Sequence, residues 1–157
     1  AAFGCRAVVP AMRARGEGAI VNVASLGGIV PMPFEAIYCA TKYALRGLSF
    51  ALRAELAGSG IRVTAVSPDS VETPQLRQEL RHDEASLSFA SAAMPPEAVA
   101  EAVLRAVRKG PPEILLPAAS GVLARLVAAF PGLILRILPL LRRAGARRMA
   151  ERRRTGS

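Results

Sequence analysis

The chain has 157 residues, with 52% hydrophobic and only 4% aromatic residues and a formal charge of +9. That is long and apolar enough for a packed core built on Ala, Val, Leu and Ile, and it excludes a disordered polyelectrolyte. Two cysteines, Cys5 and Cys39, are too few for a disulfide framework or a structural zinc site, so a reducing, cytoplasmic setting is expected.

The charge is unevenly placed. Residues 1–100 hold 9 basic and 9 acidic residues, whereas residues 101–157 hold 12 basic and 3 acidic ones. Any argument about acidic partners therefore applies to the C-terminal part alone.

Residues 1–15 have helical apolar spacing and end on basic residues, with Pro10 as a candidate bend. The GEG at 16–18 ends this helix, and "AIVNVAS" at 19–25 reads as a buried strand. A Gly- and Pro-rich loop, 26–33, precedes a long helix predicted over 36–57. After GSG at 58–60, "IRVTAVS" (61–67) reads as a second buried strand. "PDSVETPQL" (68–76) leaves it as a loop that starts a short helix near Pro74, and residues 77–93, polar and small, read as a mobile segment containing His82 as an ordinary loop histidine. Residues 95–110 open on proline and close on basic residues and glycine, a well-marked helix. "EILLP" (113–117) is a third short strand. The alternation predicts an α/β fold, part of a doubly wound parallel sheet. With three strands visible, the chain is expected to be the second half of a larger fold.

Tyr38 and Lys42 lie one turn apart on the long helix and share a face. A tyrosine serves as acid–base catalyst near neutral pH only when its environment is tuned. An ammonium at ~4 Å favours phenolate by about 4 kcal/mol at an effective dielectric of ~20, and desolvation opposes it. The alternative is a tyrosine that merely shields a lysine stem. Ser25 ends the strand before the helix, where open α/β sheets place their sites, and Gly27 and Gly28 follow it.

Three segments together resemble the short-chain dehydrogenase/reductase family: "GAIVNVASLGG" with its serine, "YCATK" with its Tyr-x-x-x-Lys, and "IRVTAVSPDSVETP" with its strand and Pro-Gly-x-x-x-Thr loop. The likeness covers residues 1–117 and implies the C-terminal half of a Rossmann-like domain. Residues 118–157 read as a helical, basic and apolar extension. By this resemblance Tyr38 is the general acid/base, Lys42 lowers its pKa and binds the nicotinamide ribose, and Ser25 orients the substrate. Val71 and Thr73 would contact the nicotinamide carboxamide, and Pro68 would shape that wall. The cofactor implied is NAD or NADP, and the reaction is hydride transfer to or from a carbonyl or secondary alcohol. Homo-oligomers through helix 36–57 are also implied.

Departures from the family pattern are specific. The family's catalytic asparagine would fall before residue 1, and Asn22 is a strand residue rather than its counterpart. Gly16-x-Gly18 precedes a strand, whereas the phosphate-binding fingerprint must follow one. Asp69 replaces the glycine after the family's proline; aspartate tolerates a positive φ better than most residues. The alternative reading is therefore a truncated, inactive chain that serves only as a dimerising or membrane-associated module.

In the extension, Leu123, Leu126, Val127 and Phe130, then Leu133, Ile134, Ile137, Leu138 and Leu141, recur at helical spacing, with Pro131 and Pro139 expected to break the run. Arg125 and Arg136 interrupt the run, which argues against a membrane span, since that needs about 20 apolar residues with few charges. Two readings stand: helices packed over the substrate end of the sheet, or a peripheral membrane anchor with arginines toward anionic lipid. Nucleic acid is disfavoured because aromatics to stack bases are lacking. Either reading implies an apolar substrate.

Overall fold

The computed structural model describes residues 1–155. Three strands, β1 (Gly18–Val23), β2 (Ile61–Pro68) and β3 (Glu113–Leu116), form a parallel sheet in the order β1-β2-β3. Gly18 pairs with Ile61 and Val23 with Val66, and β3 joins from Ala65–Glu113 to Pro68–Leu116. The intervening crossovers are helical, as parallel strands require: α2 (Ala36–Glu55) links β1 to β2, and α4 (Pro96–Lys109) lies between β2 and β3.

The central strand β2 is buried on both faces, so it reads as an apolar run rather than an alternating one, while β1 and β3 at the edges are partly buried. Successive side chains still go to opposite sides. Ile20, Ile61 and Val63 pack with Leu56 and with Cys5 of α1 (Ala2–Arg15), whereas Val66 packs with Ala102 and Ala106 of α4. Helices thus cover both faces of the sheet, the doubly wound arrangement expected from the alternation. α1 runs through Pro10, which lies on its exposed side.

Two expectations fail. Residues 77–93 are not an irregular stretch without packing. α3 (Pro74–Glu79) is followed by a 3-10 segment, Asp83–Phe89, whose Phe89 is 3% exposed and packs with Leu76 and Met149. A small residue on a later helix is what lets that helix lie against it. A Cβ on Gly145 would collide with the Ser86 carbonyl oxygen.

Nor does Pro139 break the last helix. α5 (Ala118–Ala128) leads into α6 (Pro131–Thr155), which is continuous through it. Pro139 lies on the exposed side, where water can satisfy the carbonyl that its ring deprives of a partner. Ile134, Leu138, Gly145 and Met149 keep one buried face before and after it. No helix among the described residues is long and apolar enough to cross a membrane.

Candidate active site

The carboxyl ends of β1 and β2 open into a cavity of about 590 Å3. Ser25, two residues past β1, is in extended conformation and caps the 3-10 turn Leu26–Gly28, its Oγ accepting from Gly27 N at 3.0 Å. Because that bond uses an oxygen lone pair, the hydroxyl proton is directed elsewhere. The Ser25 side chain lies on the same cavity wall as the Tyr38 phenol and favours its ionised form. Glycine is needed at 27: a Cβ there would meet Met32 Sδ at 2.9 Å and the Tyr38 ring at 3.2 Å.

Lys42 lies beside this pair. Its Nζ is 5.5 Å from the centroid of the Tyr38 ring and donates to the Val23 carbonyl oxygen at 3.2 Å. Of the residues singled out in the sequence, Ser25, Tyr38, Pro68, Val71 and Thr73 line the cavity, whereas Lys42 stands behind the tyrosine.

The expected lowering of the Tyr38 pKa by Lys42 is not what this packing produces. Burial pushes the phenol above its ordinary value, with Ser25 opposing and Glu35 and Glu79 adding to the rise. Burial likewise lowers Lys42. At neutral pH Tyr38 is a phenol, the form that donates a proton.

The β2 loop departs from its expected conformation as well. Asp69 has no positive φ; among described non-glycine residues that property belongs to Phe34 alone. The Asp69 carboxylate instead accepts from Ser70 N at 2.9 Å and from Ser91 Oγ at 2.8 Å. Val71 bridges to Met94, Glu72 N donates to the Met94 carbonyl oxygen at 2.8 Å, and Met94 N donates to Ser70 O at 2.9 Å. Aspartate at 69 thus ties the loop to residues 91–94. Thr73 caps α3, its Oγ1 accepting from Leu76 N at 3.3 Å.

One group on the cavity wall escaped the sequence reading. Glu35 is raised by burial and by nearby Glu79, while Ser88, donating to it at 3.3 Å, lowers it. Its position three residues before Tyr38 was the available signal, since that spacing brings side chains together at a helix start.

A profile described as short chain dehydrogenase matches residues 1–85. The chain belongs to the short-chain dehydrogenase family. Within it, the chain is 42% identical over 82 residues to the 2-(R)-hydroxypropyl-CoM dehydrogenase of Xanthobacter autotrophicus, covering 52% of this chain and 33% of that protein. It is 33% identical over 111 residues to the ketoacyl reductase HetN of Nostoc, covering 71% and 38%. A crystal structure of a short chain dehydrogenase from Burkholderia cenocepacia in complex with NADP superposes with a TM-score of 0.69 at 28% identity, over 85% of this chain and 53% of that one. The chain spans about a third of the length of these curated relatives and about half of the solved one.

The opposite end of the cavity is built by α5 and α6. Leu123 and Val127 of α5 and Ile134, Ile137, Leu138 and Leu141 of α6 form an apolar roof. α5 is held by Glu113 at the start of β3, which is 2% exposed at its side chain and bonded to Arg46 at 2.8 and 3.0 Å, to Ser67 at 2.8 Å and to Arg125. Burial alone would raise the Glu113 carboxyl, but the bonds from Arg46, Arg125 and Ser67 hold it below its ordinary value.

Proposed function

We propose that the full-length protein is an NAD(P)-dependent oxidoreductase that interconverts an apolar carbonyl compound and its secondary alcohol. The observation that carries this reading is that Ser25 and Tyr38 stand together on the wall of a cavity roofed by aliphatic side chains, both within contact of Gly27.

The nicotinamide end of a dinucleotide fits the residues present. Pro68, Val71 and Thr73 make one wall beside Tyr38, offering backbone groups and a hydroxyl to a carboxamide. Lys42, one turn behind Tyr38, has donors left for a ribose after its single bond to Val23 O. No Gly-x-x-x-Gly-x-Gly or Gly-x-Gly-x-x-Gly segment occurs in the sequence, so a pyrophosphate cradle of that type is not supplied by these residues. When bound, the nicotinamide supplies or accepts the hydride.

The chain's own residues handle the proton. Tyr38 gives its hydroxyl proton to the carbonyl oxygen in reduction and takes it back in oxidation. Ser25 holds the same oxygen through its free hydroxyl hydrogen. Tyr38→Phe in the full-length protein lowers kcat by about 10²–10⁴-fold, the usual worth of a positioned acid–base group, while NADH or NADPH titrations followed by nicotinamide fluorescence stay near wild type. Retained turnover would sink the assignment. Faster turnover of small polar carbonyls than of lipophilic ones would sink the substrate class.

The same reading includes pairing through α2, which leaves Ile37 and Tyr43 81% and 43% exposed. It also includes a reducing compartment such as the cytosol, which suits the free, buried Cys5 and Cys39.

A further inference from the structure

α6 buries one side and leaves the other bare. Its buried residues, Ile134, Leu138, Gly145 and Met149, share a face at about 100° per residue. Arg136, Arg143, Arg147 and Arg154 fall on the opposite face within a sector of about 40°, and all four are exposed. None of the four joins an ion pair among the described residues. Like charges stacked along a helix face repel one another, and with Glu151 the single acidic residue of α6 an anionic surface outside the protein would relieve this stripe.

The neighbouring side chains say which surface. Going round the helix from the arginines, Leu140 and Leu133 come next, 61% and 47% exposed. Ile137 and Leu141 follow, and both line the cavity. At the α5–α6 corner, Leu126 and Phe130 are also bare, 61% and 63% exposed. A cationic stripe flanked by aliphatic side chains suits the interface of an anionic bilayer, where arginines meet headgroups and leucines enter the acyl boundary. Nucleic acid would use aromatic platforms, and α6 has no aromatic residue.

We infer that α6 rests on an anionic membrane surface through Leu133, Leu140 and the arginine stripe, with the apolar rim of the cavity opening at the lipid. Given the oxidoreductase reading above, a lipid-dissolved substrate reaches Tyr38 without crossing water. The docking itself does not depend on that reading.

The test is co-sedimentation of the full-length protein with phosphatidylcholine vesicles, with and without phosphatidylserine. Binding is expected with phosphatidylserine only, and added salt should weaken it. Each arginine near an anionic leaflet contributes about fivefold. The combined change Arg136→Gln, Arg143→Gln and Arg147→Gln therefore lowers binding on the order of a hundredfold. Leu133→Ser with Leu140→Ser weakens it independently, and circular dichroism of both variants stays that of wild type. Absence of binding to anionic vesicles, or equal binding by the arginine variant, overturns the inference. So does a dimer that the leucine changes dissolve in a protein that ignores vesicles, which would make the face a contact between copies. Tighter binding to a DNA or RNA oligonucleotide that survives the leucine changes overturns it too. Tyr38→Phe must leave vesicle binding unchanged, which keeps a failure of docking separate from a failure of the proposed chemistry.

Discussion

The sheet with its flanking helices and the pair α5–α6 are built from similar side chains but use them differently. In the sheet, Val63, Ala65 and Val66 are fully buried, and Leu56 is 2% exposed. In α5 and α6, Ile134, Leu138 and Met149 are nearly as buried, yet Leu123, Leu126, Leu135 and Leu140 stand 61–63% exposed. The central strand of the first region commits its apolar residues to the core, although Phe3, Ile37 and Leu104 on the outer sides of its helices stay bare. The second spends them on roofing a cavity and on a bare surface. Ser25 and Tyr38 on the cavity wall therefore come from one region, and much of the cavity's apolar roof comes from the other.

Substitutions can break this contrast. The largest effect is expected for Leu56→Ala, which empties a sealed site between α2 and the sheet and should lower stability by about 4 kcal/mol in chemical denaturation. Glu113→Gln comes next, about 3 kcal/mol, because it leaves Arg46 without its buried partner. The pH dependence gives its sign. The Glu113 carboxyl is held below its ordinary value of 4.5. Its contribution is therefore fully present above that pH and lost as pH falls through the lowered folded value. Wild type and Glu113→Gln should converge in acid, and a constant gap down the acid limb would refute the pairing.

Leu138→Ala should cost less than Leu56→Ala, about 2 kcal/mol, because Leu138 already borders a cavity and leaves no new sealed void. Equal losses would mean that the roof packs as tightly as the core. The smallest effect, under about 1 kcal/mol, belongs to Arg153→Ala, whose partner Asp83 is 87% exposed at its side chain.

The elements of the sheet were legible because each rests on local signals. β-branched runs between glycine turns marked β1 and β2, and proline with a closing Lys-Gly bounded α4. The cavity-facing positions of Ser25 and Tyr38 could be read because a strand end and a helix start are adjacent in the chain. Glu35 was missed although the same helix start carries it. The stretch 77–93 was misread because its composition is that of a loop. Phe89 and Leu76 become core only when Met149, distant in sequence, comes to meet them. Pro139 was misread because a helix that gains a continuous buried face can outweigh one broken backbone bond.

The sequence by itself determined the family, the strand–helix alternation and the residue types available for proton transfer, since each depends on short-range spacing. Only the tertiary structure decided how those groups titrate and what surrounds them. Tyr38 is raised because burial outweighs the opposing influence of Ser25 and because Glu35 and Glu79 add to the rise, while Lys42 lies over its ring. Asp69 serves as a latch to Ser91 because two loops meet there. Whether the leucines of α5 and α6 would face the sheet, a cavity or the outside depended on long-range packing, which no helical periodicity records.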